Sequence, residues 1–406
     1  MASGMPPNLT LHQRVLTHVF DRLSVLGYSL HSTSCYKPIL NRENKFTYAW
    51  ERVCDLNEFI EREVELIADI QSNPSSPFGS SLVSILTDFV IQYAQPLFRI
   101  EPNRHLLVFQ NGFFHTKNIY FYALDKEREW GEGTYFAIRR LGEVDSEAAS
   151  LVCTPTKADA SFKIFPGDFP NEMIELINNS ARISEMDAFS ISTPTLDRIF
   201  DCQRLTPDTK KITYAMLGRL FFDSGSYDNF KVGLLLGGVS CSGKSTVMNF
   251  ISSCFGKNAF FVLRASKSVF AWEGFQNSDL AAVYDFTNDS FVGEQKKQLE
   301  KFISGGWVKV DRKGKEPVVT KNRAPFVFVG ELSSNLEDHM LPIPFLFPVA
   351  SLNVNLGEEL KEESPYSLAK MVIAYRKLAM EANGGDLGKH LSSQIKQWRE
   401  ILMSDK

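Results

Sequence analysis

The segment Gly237–Thr246 reads GGVSCSGKST and follows an apolar run, Lys231–Leu236. Residues 238–245 have the spacing G-x-x-x-x-G-K-S, which is typical of a loop that cradles phosphate groups. The run before the loop predicts a buried parallel strand, and Ser245–Phe255 carries apolar residues at helical spacing. Strand, loop and helix therefore follow one another in the required order, and the segment predicts a nucleotide site. The alternative is an ordinary Gly/Ser connection with a solvated lysine.

The chemistry of such a loop assigns a role to each part. Small residues let successive backbone N–H groups point at a phosphate, and the helix N-terminus adds partial positive charge. Lys244 is expected to bridge the β- and γ-phosphates, and the Ser245 hydroxyl to bind Mg²⁺. We therefore predict ATP and Mg²⁺ as cofactors, held by Gly238, Val239, Ser240, Cys241, Ser242, Gly243, Lys244, Ser245 and Thr246.

Composition bounds the class of protein. The chain has 406 residues, 44% hydrophobic and 23% charged, which predicts two or three folded domains. The formal net charge of -4 means that any nucleic-acid contact must come from a local patch. The cysteines form no C-x-x-C pair, which favours a reducing compartment. The N-terminus lacks a signal-peptide core, and the most apolar window, 81–98, contains Asp88 and Gln92. We expect an intracellular protein without a membrane partner.

Periodicity along the chain predicts an α/β fold in four parts. Residues 12–98 are expected to be mainly helical, with a hairpin near Asn111-Gly112 further on. Around the loop we expect a parallel sheet alternating with helices. The expected strands are 259–263, 280–284 and 326–329, the helices 194–223 and 295–303, and the hairpin 307–319. The predicted parts are a helical or mixed domain, 1–190, a helical oligomerisation segment, 191–230, an ATPase core, 231–355, and a helical tail, 356–406.

Two further positions complete the predicted nucleotide chemistry. A P-loop ATPase needs a carboxylate at the end of a neighbouring strand to hold Mg²⁺. Asp285 follows the apolar strand 280–284 directly, and a solvated turn acid is the alternative. A polar residue that senses the γ-phosphate should follow the next strand, where Ser333, Ser334 and Asn335 stand.

A one-sided basic cluster lies between these two positions. It comprises Lys296, Lys297, Lys301, Lys309, Arg312, Lys313, Lys315, Lys321 and Arg323. A hairpin tip of this charge can contact phosphates without reading bases. We predict DNA contacts from Lys309, Arg312, Lys313 and Lys315. The alternative is a solvated hairpin whose lysines serve solubility.

Three aromatic residues precede this cluster or lie within it in the sequence. Phe270, Trp272 and Trp307 each sit in a segment of apolar periodicity. We expect them to pack in the core, and base stacking is the alternative.

Taken together, four elements occur in the order found in the superfamily 3 helicases of DNA viruses, a branch of the AAA+ ATPases. They are GGVSCSGKS, LAAVYDFTND, QLEKFISGGWVKVDRKGKEP and APFVFVGELSSN. SKSVFAW and the DRK element are similar to the papillomavirus replicative helicase. TPDTKKITYAMLGRLFFDSG and RHLLVFQNGFFHTKNIYF resemble poxvirus-type primase-helicases. The resemblance covers roughly residues 196–347.

The resemblance implies an ATP-hydrolysing replicative helicase. Lys244 and Ser245 become phosphate and Mg²⁺ ligands, Asp285 the acidic-strand carboxylate, Asn335 the sensor and Lys313 the hairpin residue in the channel. It further implies a homo-oligomeric, hexameric ring that moves 3′ to 5′ along single-stranded DNA. Other replication proteins, for origin binding or priming, would be partners, in the host nucleus or at a cytoplasmic site of viral replication.

The chain departs from the family pattern at three points. Asp285 stands alone between Tyr284 and Phe286, where the family has two adjacent acids. Residues 339–355 contain no arginine to reach a neighbouring subunit, and Gly314 replaces a histidine. Lys301, Arg264 or Arg323 would then act in trans. The alternatives are a P-loop ATPase for DNA packaging or protein remodelling, a small-molecule kinase, and a nucleotide-binding scaffold with weak activity.

Overall fold

The structure is a computed structural model, and its description covers the greater part of the chain. The described residues are 11–25, 28–31, 34–40, 46–65, 80–93, 98–102, 104–123, 134–139, 158–161, 165, 168–180, 182–255, 259–264, 271–273, 275, 278–287, 290–313, 315–330, 338–349, 353–382 and 385–404. The chain divides into two compact units. The first contains Met1–Phe113 and Tyr122–Gly167, and the second Phe114–Phe121 and Asp168–Lys406.

The first unit combines helices with a closed sheet. Its helices are α1 (Leu11–Val25), α2 (Leu56–Glu65) and α3 (Ser80–Tyr93). The sheet runs β1-β2-β3-β8-β9-β4 and closes on itself. Its strands are β1 (Ser29–His31), β2 (Ser34–Leu40), β3 (Phe46–Asp55), β4 (Phe98–Pro102), β8 (Thr134–Arg139) and β9 (Ala158–Ser161).

The expectation of a mainly helical 12–98 is wrong for the strands β1 to β3. The segment of β3 reads FTYAWERVCD, and its aromatic and β-branched residues favour extended backbone. The helical prediction holds for α1 and α2, whose apolar faces meet through Val19, Leu23 and Ile60. Glu63 is buried beside them and accepts hydrogen bonds from His18 Nε2 at 3.0 Å and Arg22 Nε at 3.2 Å.

A small sheet lies at 106–123, in the order β5-β6-β7. Its strands are β5 (Leu106–Phe109), β6 (Gly112–His115) and β7 (Tyr120–Ala123). The turn between β5 and β6 contains Asn111, so the hairpin predicted there is confirmed.

A five-stranded parallel sheet organises the second unit, in the order β11-β12-β15-β10-β16. Its strands are β10 (Gly233–Gly238), β11 (Phe260–Val262), β12 (Leu280–Phe286), β15 (Phe326–Gly330) and β16 (Met340–Phe345). A two-stranded hairpin, β13 (Trp307–Arg312) and β14 (Lys315–Lys321), is inserted between β12 and β15 in the sequence. The predicted α/β class with a central parallel sheet is confirmed.

In the sequence, helices precede the strands of this sheet, stand between them and follow them. They are α4 (Asn171–Asn179), α5 (Pro194–Cys202), α6 (Pro207–Arg219), α7 (Lys244–Ser253), α8 (Glu294–Ile303), α9 (Leu356–Glu381), α10 (Leu387–His390) and α11 (Ser392–Ser404). The tail is thus helical, as expected. Within the ranges that the structure describes, no helix combines the length and the apolar character needed to cross a membrane.

Strand β16 is an element that the sequence analysis did not anticipate. It reads MLPIPF and, among the described residues, pairs only with β10, at the edge of the sheet. Pro342 and Pro344 stand at alternate positions, so the N–H groups that they lack face the open edge. Prolines argue against a central strand, and this placement explains how an apolar run with two of them can still join a parallel sheet.

A buried ion pair fixes the chain just before β10. The side chains of Arg219 and Asp228 are 5% and 0% exposed, and Arg219 Nε donates to Asp228 Oδ2 at 2.6 Å. Arg219 also donates to the carbonyl of Val232 at 3.1 Å, and the Tyr375 hydroxyl donates to Asp228 Oδ2 at 3.0 Å. Burial raises the pKa of Tyr375, so its hydroxyl stays a donor. The pair therefore joins α6, α9 and the entry to β10.

We expect Asp228→Ala to destabilise the protein by about 3–5 kcal/mol, because it leaves the Arg219 guanidinium buried without its carboxylate. The measurement is the free energy of unfolding in guanidinium chloride. Asp208→Ala is the matched control, since Asp208 is an exposed partner of Lys211 at 3.6 Å and its loss should cost less than about 0.5 kcal/mol. Equal effects of the two substitutions would contradict this account of the pair.

Candidate nucleotide site and basic hairpin

The loop between β10 and α7 turns sharply before the helix begins at Lys244. Cys241 and Gly243 adopt left-handed backbone conformations, with φ of 58° and 93°. In the described part of the chain, no side chain caps the N-terminus of α7. The first N–H groups of a helix have no partner within it, so those of Lys244, Ser245 and Thr246 are placed to bind an anion.

The ammonium group of Lys244 is folded against the loop itself. Its Nζ donates to the carbonyl of Gly238 at 3.1 Å, to that of Val239, and to Ser242 Oγ at 3.2 Å. Burial lowers the pKa of Lys244, and the charge interaction with Cys241 acts in the opposite direction. A phosphate group at the loop would supply the charge that neutral carbonyls lack, and would favour the ammonium form.

The loop is attached to the edge strand β16 and to the segment after it. Val239 N–H donates to the carbonyl of Phe345 at 3.0 Å, and Val349 N–H donates to the carbonyl of Cys241 at 3.0 Å. A Cβ at Gly238 would lie 2.2 Å from the Phe345 oxygen, so only glycine allows this approach. The prolines of β16 thus belong to an element that holds the loop in place.

Gln203, at the end of α5, ties the same segments together. It is buried, and its Nε2 donates to the carbonyls of Ser242 at 2.9 Å and Phe347 at 2.7 Å. Its Oε1 accepts from Phe347 N–H at 3.0 Å. The next residue, Arg204, is exposed and places its guanidinium 4.3 Å from the Phe347 ring centroid. Neither residue belongs to a sequence motif, and only the tertiary fold makes Gln203 a buried polar group.

Asp285 lies in a bulge inside β12, whereas we expected it just after the strand. Val283 pairs with Phe328 and Phe286 with Gly330, so two residues of β12 oppose one of β15. Asp285 has φ of 51° and is exposed, while Phe286 is buried. A bulge of this kind bends the strand and re-aims a side chain. A Cβ at Gly330 would lie 2.1 Å from the Phe286 carbonyl oxygen, so the glycine permits the bulge.

The register of the strands places the loop and Asp285 at the same end of the sheet, where the parallel strands have their carboxyl ends. Gly330 pairs with Gly237 on one side and with Phe286 on the other. The carboxylate was expected on a strand next to β10. Instead, β15 lies between β10 and β12, the strand that carries Asp285. Two strand spacings separate their backbones by about 10 Å. The Tyr284 hydroxyl also reaches Asn249 Oδ1 on α7 at 3.4 Å.

The residues at this carboxyl end of the sheet fit a magnesium nucleotide. Ser245 and Asp285 are both exposed at the carboxyl ends of parallel strands, where ligands of such sheets bind. Mg²⁺ usually takes one or two protein oxygens and fills its remaining positions with phosphate oxygens and water. A hydroxyl and a carboxylate are a suitable set. The predicted sensor Asn335, with Ser333 and Ser334, lies outside the described residues.

The basic hairpin has the predicted form, but its cations differ in their surroundings. Lys313 lies exposed in the turn, and Lys315 begins β14. Lys309 is exposed and lies 3.7 Å from Asp311. Arg312 donates twice to the carbonyl of Glu316, from Nε at 2.8 Å and Nη2 at 2.6 Å. Arg312 therefore holds the turn closed, while Lys313 projects from it.

A shared core connects the hairpin to the strand that carries Asp285. Val308 and Val310 pack in one buried cluster with Phe286, Leu299 and Phe328. Trp272 is 3% exposed in the same cluster and stacks on Phe302 at 4.3 Å, so the expectation that it packs in the core is confirmed. Phe270 lies outside the described residues.

The base of the hairpin is fixed by Asn322. Its Nδ2 donates to the carbonyls of Phe302 at 2.7 Å and Ala324 at 2.9 Å, and its Oδ1 accepts from Ala324 N–H at 2.8 Å. The side chain thus joins the end of α8 to the strand that returns to the sheet. Sequence reasoning had no signal for this role.

Comparisons with known proteins find structural similarity over about half of the chain. No family model matches the sequence, and no curated protein matches it. Among solved structures, three apo structures of the NrS-1 C-terminal region are similar at 11% identity, with TM-scores of 0.34, 0.35 and 0.37. They cover 44%, 47% and 50% of this chain and 44%, 51% and 51% of the respective matched chains. The chain thus spans about half the length of the structures that it matches.

We expect Gln203→Ala to weaken ATP binding roughly 10-fold, because the substitution releases the carbonyl of Ser242 and both backbone groups of Phe347. Titration with a fluorescent ATP analogue measures this. Cys202→Ala, at the exposed preceding position, is the matched control and should bind ATP like the wild type. Unchanged affinity in Gln203→Ala would show that the loop keeps its shape without this side chain.

Proposed function

We propose that the protein is an ATP-dependent replicative DNA helicase of a DNA virus, built on an AAA+ type P-loop core. One observation carries the proposal: the loop 238–246 and Asp285 lie at the carboxyl ends of the parallel strands, and a lysine-tipped hairpin is inserted in the sequence between β12, which carries Asp285, and β15. The core cluster that holds the hairpin includes Phe286, the residue after Asp285. Nucleotide chemistry and the hairpin are thereby parts of one packed body.

Hydrolysis of ATP would rest on position and charge. The N-terminus of α7 and Lys244 would hold the phosphates, and Ser245 and Asp285 would hold Mg²⁺, which offsets charge that develops on the transferred phosphoryl group. Tyr284 stands where a second acid would orient water, and its hydroxyl is engaged with Asn249. We therefore expect slow turnover in the absence of DNA.

The hairpin would convert this chemistry into movement along single-stranded DNA. Lys313 at its tip can bind a phosphate without regard to sequence, which suits a motor that moves over any strand. Asn322 and the packed valines of β13 would transmit a displacement of β12 to the tip. This link between β12 and the hairpin tip rests on their shared packing. It requires that the hairpin faces a channel through which the strand passes.

A homo-hexameric ring would supply that channel and complete the ATP site in trans. Arg264, Lys301 and Arg323 are exposed and are the candidates for the cation that reaches a neighbouring subunit's nucleotide. Proteins for origin binding or priming would be partners. The protein would act inside the host cell, in the nucleus or at a cytoplasmic replication site.

A second candidate is a nucleotide-binding scaffold with weak activity, which the lone Asp285 favours. ATP turnover with and without single-stranded DNA separates it from the helicase, which DNA should stimulate. Separation of a forked duplex distinguishes the helicase from an ATPase for packaging or remodelling. Native mass measured with an ATP analogue and single-stranded DNA tests the ring. Absence of both stimulation and strand separation would end the helicase proposal.

Lys244→Ala is expected to abolish ATP hydrolysis, because it removes the side-chain cation nearest the phosphates. Phosphate release is the measurement, and far-UV circular dichroism checks that the fold is retained. Lys396→Ala is the control, since Lys396 is exposed on α11 and pairs with Glu400 at 3.9 Å. Normal turnover in Lys244→Ala would refute the assignment of the loop.

Lys313→Ala is expected to lower affinity for single-stranded DNA and to abolish duplex unwinding. Each phosphate contact to a single strand contributes about 0.7 to the slope of log affinity against log salt concentration, so the slope should fall by about 0.7. Fluorescence anisotropy over a salt series measures it, again with Lys396→Ala as the control. An unwinding rate equal to that of the wild type would remove the hairpin tip from the mechanism.

A further inference from the structure

The two faces of the hairpin have opposite character. Val308 and Val310 face the core and are buried. Trp307 and Lys309 alternate with them and therefore lie on the other face. On β14, Lys321 pairs with Trp307 and Val319 pairs with Lys309. Directly paired residues share a face, so these four side chains form one patch, which we call the outer face of the hairpin.

Trp307 is the dominant apolar group of this outer face. It is 69% exposed, and Val319 beside it is 63% exposed. The expectation that Trp307 packs in the core is therefore wrong. The apolar periodicity of β13 is satisfied by Val308 and Val310, and Trp307 falls one position out of that phase. Exposing an indole forgoes the stabilisation that burial of its large apolar surface would give.

The charges around Trp307 indicate what it binds. Lys321 lies directly across the hairpin, and Lys309 lies two positions along the same strand. Both lysines are exposed, and the nearby acid, Asp311, is a partner of Lys309. An exposed aromatic ring between cations is the combination that binds single-stranded nucleic acid, with the ring stacking on a base and the cations contacting phosphates. A protein partner bound at this patch would need an acidic group opposite each of the two lysines.

The patch is held rigidly enough to serve as a platform. Gly306 N–H donates to the carbonyl of Lys301 at 2.8 Å, and Asn322 N–H donates to the carbonyl of Gly306 at 3.4 Å. Gln298 on α8 donates to the carbonyl of Lys309 at 3.3 Å. The backbone on either side of Trp307 is thus fixed from the core side, so a base can stack on the ring without ordering the strand first.

We propose that Trp307 is a base-stacking residue for single-stranded DNA, flanked by the phosphate-binding cations Lys309 and Lys321. The inference rests on the proposed function and adds a second contact point to it. The tip at Lys313 binds backbone charge, whereas Trp307 at the base of the hairpin binds a base face. The strand would lie along the outer face, between these two points.

The test compares a dT oligonucleotide with an abasic oligonucleotide of the same length, by fluorescence anisotropy. The wild type should prefer the dT strand. Trp307→Ala should lose roughly 5- to 160-fold in affinity for dT and little for the abasic strand, because stacking contributes about 1–3 kcal/mol per base. Its salt slope should stay unchanged, whereas Lys321→Ala should lower the slope by about 0.7 and bind the two strands with the wild-type preference.

Trp307→Phe keeps a stacking ring and should retain most of the preference for dT. It also removes the indole, so quenching of tryptophan emission by dT should be present in the wild type and lost in Trp307→Phe. Equal affinity of Trp307→Ala and the wild type for dT would overturn the inference. So would a change of native mass in Trp307→Ala with the preference for dT intact, since Trp307 would then be a contact between subunits. A wild type that binds neither strand would overturn the helicase proposal itself.

Discussion

The loop after β10 leaves a strand that is bonded on both sides, and its backbone groups must find partners outside the sheet. The structure supplies these partners from the edge strand β16 and from Gln203. The carbonyl of Phe345, the N–H of Val349 and the side-chain amide of Gln203 hold the loop from three directions. The shape of the loop thus depends on Gln203, 39 positions before Ser242, and on Phe345 and Val349, about a hundred positions after the loop. The loop motif therefore takes its shape only when Gln203 and the segment 345–349 hold it.

The place of the hairpin in the chain follows from the order of the strands in the parallel sheet. Because β15 lies between β10 and β12, the chain must leave β12 and return one strand nearer to the loop. Helix α8 and the hairpin occupy that connection, and their apolar side chains enter the cluster that contains Phe286 and Phe328. A change at the bulge around Asp285 would therefore act on a packed interior, which shifts as a unit more readily than it deforms.

Much of the second unit could be predicted from the sequence, because its signals are local. The loop spacing, the apolar runs of β10 and β12 and the turn before Lys315 each depend on neighbouring residues. Strand β16 was missed because Pro342 and Pro344 are compatible only with an edge, and edges are set by sheet order. Gln203 and Asn322 gain their roles from burial, which no spacing encodes. In the first unit, the helical period of α1 does not continue over β1 to β3, and two of these strands, β1 and β3, also pair with β4 and β8, which lie much further along the chain.

Two tryptophans of the second unit, Trp272 and Trp307, show that residues of one type lie in the core in one place and at the surface in another. Trp272 stacks on Phe302 inside the cluster, while Trp307 begins a strand in which alternate valines take the buried positions. With a net charge of -4, the proposed binding of single-stranded DNA would depend on such local groups. Lysines on a hairpin bind phosphates in a salt-dependent way, and a ring beside them adds a contribution that salt does not screen. Neither contribution depends on the identity of a base, which suits the proposed movement along any strand.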